Sequence, residues 1–290
     1  MGLSISKTTN IRIDRKMKRI VYCADLHGDI ERYQAFFAIP GDYHIIGGDL
    51  LPKRGYFKNL YEIQRHFLVD FLKPLLQAQR KNTQTLLMLG NDDIESLEEY
   101  LLKWEGEGLC GQLHGSLFEV EGFEIIGFKY IPPTPFSAKN FERADSRGIA
   151  QKQFAAPVLF QTDGSYPTID FESYLKSQPS IGELLDYLPK PQDFSKAIYI
   201  MHSPPYDSGL DVTVKKEPVG SQDIRDFITK YQPILVLCGH IHESPGTIKI
   251  GNTICINPGQ LKEFAYSLFE LNNGSIELLK IPPEILSGSE

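Results

Sequence analysis

The chain has 290 residues, 41% hydrophobic and 23% charged, a globular balance that supports a full core without disulfides or a structural metal. Its 30 basic and 37 acidic residues leave a net charge of −7, with a pI near 5.6, which argues against long nucleic acid or an anionic membrane as partner. The 24 glycines and 19 prolines speak for many turns and exclude a coiled coil, and no stretch approaches the roughly 18 apolar residues a membrane span needs.

Taken in chain order, short apolar runs alternate with amphipathic stretches, the pattern of an α/β fold. Arg19–Ala24 reads as a strand and Ile30–Ala38 as a helix, with Asp29 placed to cap it or to orient a neighbouring histidine. A strand is expected at Tyr43–Ile46, then a long helix from about Tyr56 to Gln79 that Pro74 should kink or break. Thr85–Leu89 is a strand and Asp93–Trp104 a helix, with acidic residues in its first turn. Leu117–Val120 and Phe123–Phe128 flank Glu121-Gly122, a hairpin signal.

From Ile131 to Lys196 repeated prolines break the periodicity, so residues 131–196 read as an irregular insertion in one domain of about residues 15–282, after an extension at 1–14. Strand character returns at Ala197–Met201, a helix follows at Ser221–Tyr231 with Ser221 as cap, and Ile234–Cys238 is a strand. The tail, Thr247–Ile250, Thr253–Ile256, Ala265–Leu271 and Ile276–Ile281, reads as successive antiparallel strands.

The cysteines (Cys23, Cys110, Cys238, Cys255) are scattered, without a C-x-x-C pair, and three lie in apolar runs. They read as buried reduced thiols, which fits a cytoplasmic protein. The N-terminus lacks an apolar signal region; Gly2 and Ser6 fit the short myristoylation pattern, which is too permissive to decide anything.

Five strands share one feature: each runs straight into residues that can bind metal. RIVYCADLH ends in Asp25 and His27, YHIIGGD in Asp49, TLLMLGND in Asn91, AIYIMHS in His202, and LVLCGHIH in His240 and His242. Ligands of α/β sheets bind at the carboxyl ends of strands, and i, i+2 spacing puts both members of each pair on one face of extended chain. Gly48, Gly90 and Gly239 precede three of these residues, as expected where backbone turns sharply. A G-H-x-H match alone is expected by chance on the order of 0.01 times in such a chain, and the ordered set is rarer still.

That set, D-x-H, G-D, G-N, H and G-H-x-H over about residues 20–260, resembles the calcineurin-like metallophosphoesterase superfamily, and GHIHES and NPGQ (Asn257–Gln260) resemble a small phosphoesterase subgroup within it. The resemblance implies a two-sheet β-sandwich flanked by helices with two divalent ions at the strand ends. By motif position, Asp25, His27 and His242 would hold one ion, Asn91, His202 and His240 the other, and Asp49 would bridge them. Mixed oxygen and nitrogen ligands suit Mn, Fe or Zn better than Ca. The expected reaction is hydrolysis of a phosphate monoester or diester on a small substrate. A hydroxide shared by the two ions would attack phosphorus, with His202 and its surroundings holding the phosphoryl oxygens.

The departure is Asp92, where the family usually places the histidine that protonates the leaving group or binds phosphate. Beside two cations an aspartate is expected to be an anion and a poor acid. A scaffold of the same fold that binds metal without turnover is the alternative. A nuclease would need a basic track that this acidic chain lacks. Asp93 could start a helix or support the site. Arg54 or Arg143, with Arg147 and Tyr206 less favoured, could grip a phosphate, whereas His44, His66 and His114 read as ordinary core or surface residues.

Overall fold

Alternation along β1 (Lys18–Cys23) sets the layering. In the computed structural model, which describes residues 17–53, 57–148, 153–260 and 264–285, Ile20 and Tyr22 face one buried cluster and Val21 and Cys23 another. A strand buried on both faces belongs inside a sheet with cover on each side. β1 pairs in parallel with β2 (Tyr43–Gly47), which pairs in parallel with β3 (Gln84–Met88), and that with the two-residue β4 (Gly111–Gln112). The other edge of β1 takes β11 (Ser267–Asn272) and then β12 (Ser275–Lys280), both antiparallel, giving the order β12-β11-β1-β2-β3-β4.

The second sheet has the order β5-β6-β7-β8-β10-β9, from Leu117–Val120, Phe123–Phe128, Ala197–Met201, Leu235–Leu237, Thr253–Asn257 and Gly246–Ile250 respectively. Its first hairpin turns on Glu121 and Gly122 at φ 49° and 79°, the two left-handed positions of a type I′ turn. Ile125, Ile198, Ile200 and Leu237 meet Ile20, Tyr22, Ile45 and Met88 between the sheets. Outside the first sheet lie α1 (Ile30–Ala38), α2 (Phe57–His66), α3 (Lys73–Gln79) and α4 (Glu98–Gly106), through Tyr33 and Phe36, Leu60, Leu76 and Trp104 respectively. Outside the second lie α6 (Ile181–Tyr187) and α7 (Gln222–Tyr231), which follow α5 (Phe171–Ser177) in the chain. The result is the expected two-sheet sandwich flanked by helices. No described helix is long and apolar enough to cross a membrane.

Several boundaries differ from expectation for physical reasons. Pro74 neither breaks nor visibly ends the helical stretch; residues Phe67–Leu72 form a π-turn, and the Lys73 N–H donates to Leu68 O, five residues back. The wider turn lets the helix continue past a residue with no N–H to give. The helix expected from Asp93 begins later, with a 3₁₀ turn at Glu95–Leu97 before α4, because Asp93 is engaged elsewhere. The tail strands are not one antiparallel series: β9 and β10 close the second sheet, β10 runs parallel to β8, and β11 crosses to the first sheet.

The described residues of 131–196 form isolated bridges, two short α-helices and a 3₁₀ turn at Phe194–Lys196, and they place Phe141, Val158 and Phe160 on one outer cluster and Ile181 and Leu185 on the other. Within this stretch the fully buried Lys139 donates to both oxygens of Glu142 (3.1 and 3.0 Å) and to Thr134 O (2.7 Å), so neither buried charge is left unpaired. All four cysteines are buried thiols.

Candidate metal centre

The strand-end residues come together between the two sheets. Asp25, His27, Asp49 and His242 each offer an atom within 4.8 Å of the others, and Asp49, His202 and His240 do the same. Asp49 is in both groups. Asn91 joins the second, its Oδ1 3.0 Å from His202 Nε2. The loops are laced by backbone hydrogen bonds: Asp25 N–H to Gly48 O, His27 N–H to Asp49 O, His202 N–H to Phe128 O and Gly239 N–H to His202 O.

The backbone here is strained in a consistent way. Asp25, His27, Asp49 and His240 have φ of 59°, 47°, 53° and 66°, a region that side-chain-bearing residues avoid and that clusters at functional sites. The glycines make room. A Cβ on Gly48 would strike the His202 ring, and one on Gly90 would strike the backbone N and Oδ1 of Asp49.

The donor set fits cations. His202 Nδ1 lies 2.9 Å from Gly47 O, so it carries a proton and turns Nε2 toward Asn91 Oδ1 and Asp49 Oδ1, the latter at 3.6 Å. Acceptors converging on one another call for a positive charge between them. His27 Nδ1 is buried with no hydrogen-bond partner, and His27 Nε2 faces His242 Nε2 at 3.1 Å. Burial, helped by Lys53, brings His27 down to about 4, and burial together with His202 brings His240 down to about 3, so both are neutral imidazoles able to ligate. Burial works against a charged His202, yet the Asp49 carboxylate beside it holds it up to about 9. Burial opposes the Asp25 carboxylate, but the His242 contact at 3.4 Å keeps it below its usual range and raises His242 in turn.

This predicts a proton cost for loading. A metal ion would take the His202 lone pair that holds a proton below about pH 9, so binding at pH 7 should release a proton. Affinity for Mn²⁺ should therefore rise with pH up to about 9. Calorimetry in two buffers of different ionisation enthalpy counts the proton, and a count of zero would sink the assignment.

Supporting groups do more here than the sequence suggested. Asp93 is buried and accepts the N–H groups of Leu50 (2.9 Å), Leu51 (2.7 Å) and Gly90 (2.9 Å), tying the Asp49 loop to the Asn91 loop. Asn257, fully buried, donates to Leu210 O at 3.1 Å and Ile241 O at 2.9 Å, holding the turn between His240 and His242, while Gln260 N–H reaches His242 O. Asp29 is the cap of α1, accepting from Arg32 N–H. Two residues escaped the sequence reading altogether: Lys53, whose Nζ lies 3.1 Å from His27 Nε2, and Gln64 on α2.

The arginine expectation needs correction. Arg143 is buried, donates to Asn140 O, Glu142 O and Tyr174 Oη, and lies over the Tyr130 ring, so its charge serves the 131–147 loop. Arg147 donates to Pro218 O and stacks on Tyr206. Arg54, like Gly2 and Ser6, lies outside the described residues. His44 bonds Thr83 in the core, His66 pairs with Asp70 on the surface, and His114 packs on Phe128 and Tyr130, as ordinary residues do.

A family model described as metallophosphoesterase, calcineurin superfamily, matches residues 183–281, the part that carries His202, His240 and His242. One solved structure, 18% identical, covers 92% of this chain and 100% of its own at a TM-score of 0.56, which is likeness of fold. Over residues 183–281 the chain is therefore similar to the calcineurin superfamily of metallophosphoesterases, and its likeness to the solved structure is one of fold. A Thermus thermophilus protein is 20% identical to this chain, with 91% and 98% of the two chains covered at a TM-score of 0.46. An uncharacterized Methanocaldococcus jannaschii protein is 41% identical over 71 residues. That match spans 23% of this chain and 33% of the relative, a third of its length.

Proposed function

We propose that this chain hydrolyses small phosphate esters with two divalent ions, one held by Asp25, His27, Asp49 and His242 and the other by Asp49, Asn91, His202 and His240. The observation that carries this reading is Asp49, a buried carboxylate shared by both ligand clusters. When bound, such ions supply Lewis acidity toward phosphoryl oxygens and a water acidic enough to serve as nucleophile near neutral pH. The mixed O and N donors favour Mn, Fe or Zn.

The residues do the positioning. Asp25 is fixed by the His240 N–H at about 3 Å from both of its oxygens, Asp49 by the Asp92 N–H at 2.8 Å, and His202 by Gly47 O. Two carboxylates against two divalent charges leave the site net positive, which suits a phosphate anion. Small substrates in a cytoplasmic setting fit the acidic chain, and no nucleophilic serine or cysteine is required.

The test is hydrolysis of p-nitrophenyl phosphate and bis-p-nitrophenyl phosphate by chelator-stripped protein, with and without Mn²⁺. Turnover should need the metal and return with it. Two bound ions by elemental analysis with no turnover of either ester would instead favour a non-catalytic scaffold.

A further inference from the structure

The residue at position 92 is an acid, and the charge beside it comes from another loop. Lys53 Nζ lies 3.3 Å from Asp92 Oδ2 and 3.1 Å from His27 Nε2. Exposure falls stepwise through this group: the side chains of Lys53, Asp92, His27 and Asp25 are 44%, 30%, 11% and 1% exposed. Lys53 is therefore on the solvent side of the ligands, where a substrate must arrive.

The placement is built, not incidental. Gln64 is fully buried, and its amide donates to Pro52 O at 3.1 Å and Asp92 O at 2.8 Å while accepting the Ile94 N–H at 2.8 Å. One side chain thus pins the backbone before Lys53 to the backbone of Asp92. Asp93 makes the second tie between the same two loops. Pro52 itself lies against Gly28, where any side chain would collide with the proline ring. These ties hold the backbones of the two loops together while the Lys53 stem beyond them stays free to move.

We propose that Lys53, steered by Asp92, takes a phosphoryl oxygen of the substrate and biases the site toward phosphomonoesters. This rests on the hydrolase reading above. Lysine presents a compact charge on a flexible stem, able to follow a phosphate oxygen. A monoester dianion brings two negative charges to that ammonium and a diester one, so the attraction favours the monoester. Asp92 Oδ2, 3.3 Å from Lys53 Nζ, holds the ammonium over the ligands and offsets part of its charge, so one further negative charge on the substrate counts for more.

The experiment compares Lys53→Met and Lys53→Arg with the unaltered protein in saturating Mn²⁺. Loss of one charge-assisted hydrogen bond should lower monoester kcat/KM about 10–100-fold in Lys53→Met, with a much smaller loss on bis-p-nitrophenyl phosphate. Calorimetry on the Mn²⁺-loaded protein should show inorganic phosphate binding weakened by a similar factor, and Lys53→Arg should recover most of both. Tm should not move, and Mn²⁺ affinity should not fall, because Lys53→Met removes an ammonium 3.1 Å from His27 Nε2 that competes with the ion for that nitrogen. Equal losses on both esters, unchanged phosphate affinity, or a fall in Mn²⁺ affinity would overturn the proposal. If the unaltered protein hydrolyses neither ester, the hydrolase reading fails, and the phosphate-binding comparison still decides the role of Lys53.

Discussion

Asp49→Ala should strip both ions and abolish metal-dependent hydrolysis. One oxygen of Asp49 lies 3.6 Å from His202 Nε2 and the other 3.8 Å from His27 Nε2, so this one carboxylate reaches both clusters. Losing an outer partner of a ligand typically costs 10–100-fold in affinity or activity, and losing the shared ligand should cost more than about 100-fold. Asp49 has φ 53°, where alanine is strained, so Asp49→Asn is the companion variant that keeps volume and tolerates the conformation. Two tightly bound ions retained by either variant, measured by elemental analysis, would refute the shared role. His240→Ala should likewise abolish turnover with the circular dichroism spectrum unchanged in saturating metal, and His240→Asn is its companion because φ is 66° there too. His202 is a less clean choice, because it is fully buried and its loss orphans Gly47 O.

The second large effect concerns the leaving group. Burial and the neighbouring Asp49 push Asp92 up to about 6, with Lys53 acting against them, so it is mostly an anion at pH 7. Bound cations can only favour the anion further. An ionised carboxylate has no proton to give, and general acid catalysis is typically worth about 10²–10⁴-fold. The protein should therefore prefer aryl esters or phosphoanhydrides, whose leaving groups depart unprotonated, over alkyl esters. Asp92→His should raise alkyl-ester turnover and narrow that gap. Asp92→Asn keeps an oxygen for Lys53 and should alter aryl-ester rates little. Similar large losses on aryl and alkyl esters in Asp92→Asn, with the basic limb of the pH–rate profile gone, would show Asp92 to be a working acid.

The strand-end cluster was legible because its seven members follow five apolar runs, and a run that ends in Asp, Asn or His tells both where the strand stops and what stands there. The hairpin at Glu121-Gly122 and the cap at Ser221 were legible for the same local reason. What escaped notice depends on contacts between distant residues. Gln64 sits mid-helix and looks like any polar position until its amide is seen crossing to Pro52 and Asp92. Asp93 has the look of a helix start, and only the loops around it show that its oxygens are taken. Arg143 had the right chemistry for a phosphate, but the carbonyls of its own loop claim it. β4, two residues long, carries no periodicity to read.

The partnership of β1 with β11 also bears on how the chain comes to be folded. Lys18 pairs with Leu271 and Tyr22 with Ser267, so one edge of the first strand waits for the last strands of the chain. On the ribosome, β1, β2 and β3 can associate early, since all three lie before residue 89. Their sheet then presents a bare β1 edge until residues 267–272 emerge, and such an edge is a template for the wrong partner. His240 and His242 also arrive late, so the nascent chain holds Asp25, His27 and Asp49 without their counterparts. Pairing across that span makes closure a slow, non-local step, and premature release or truncation of the C-terminal strands would leave both an aggregation-prone edge and half of a metal centre.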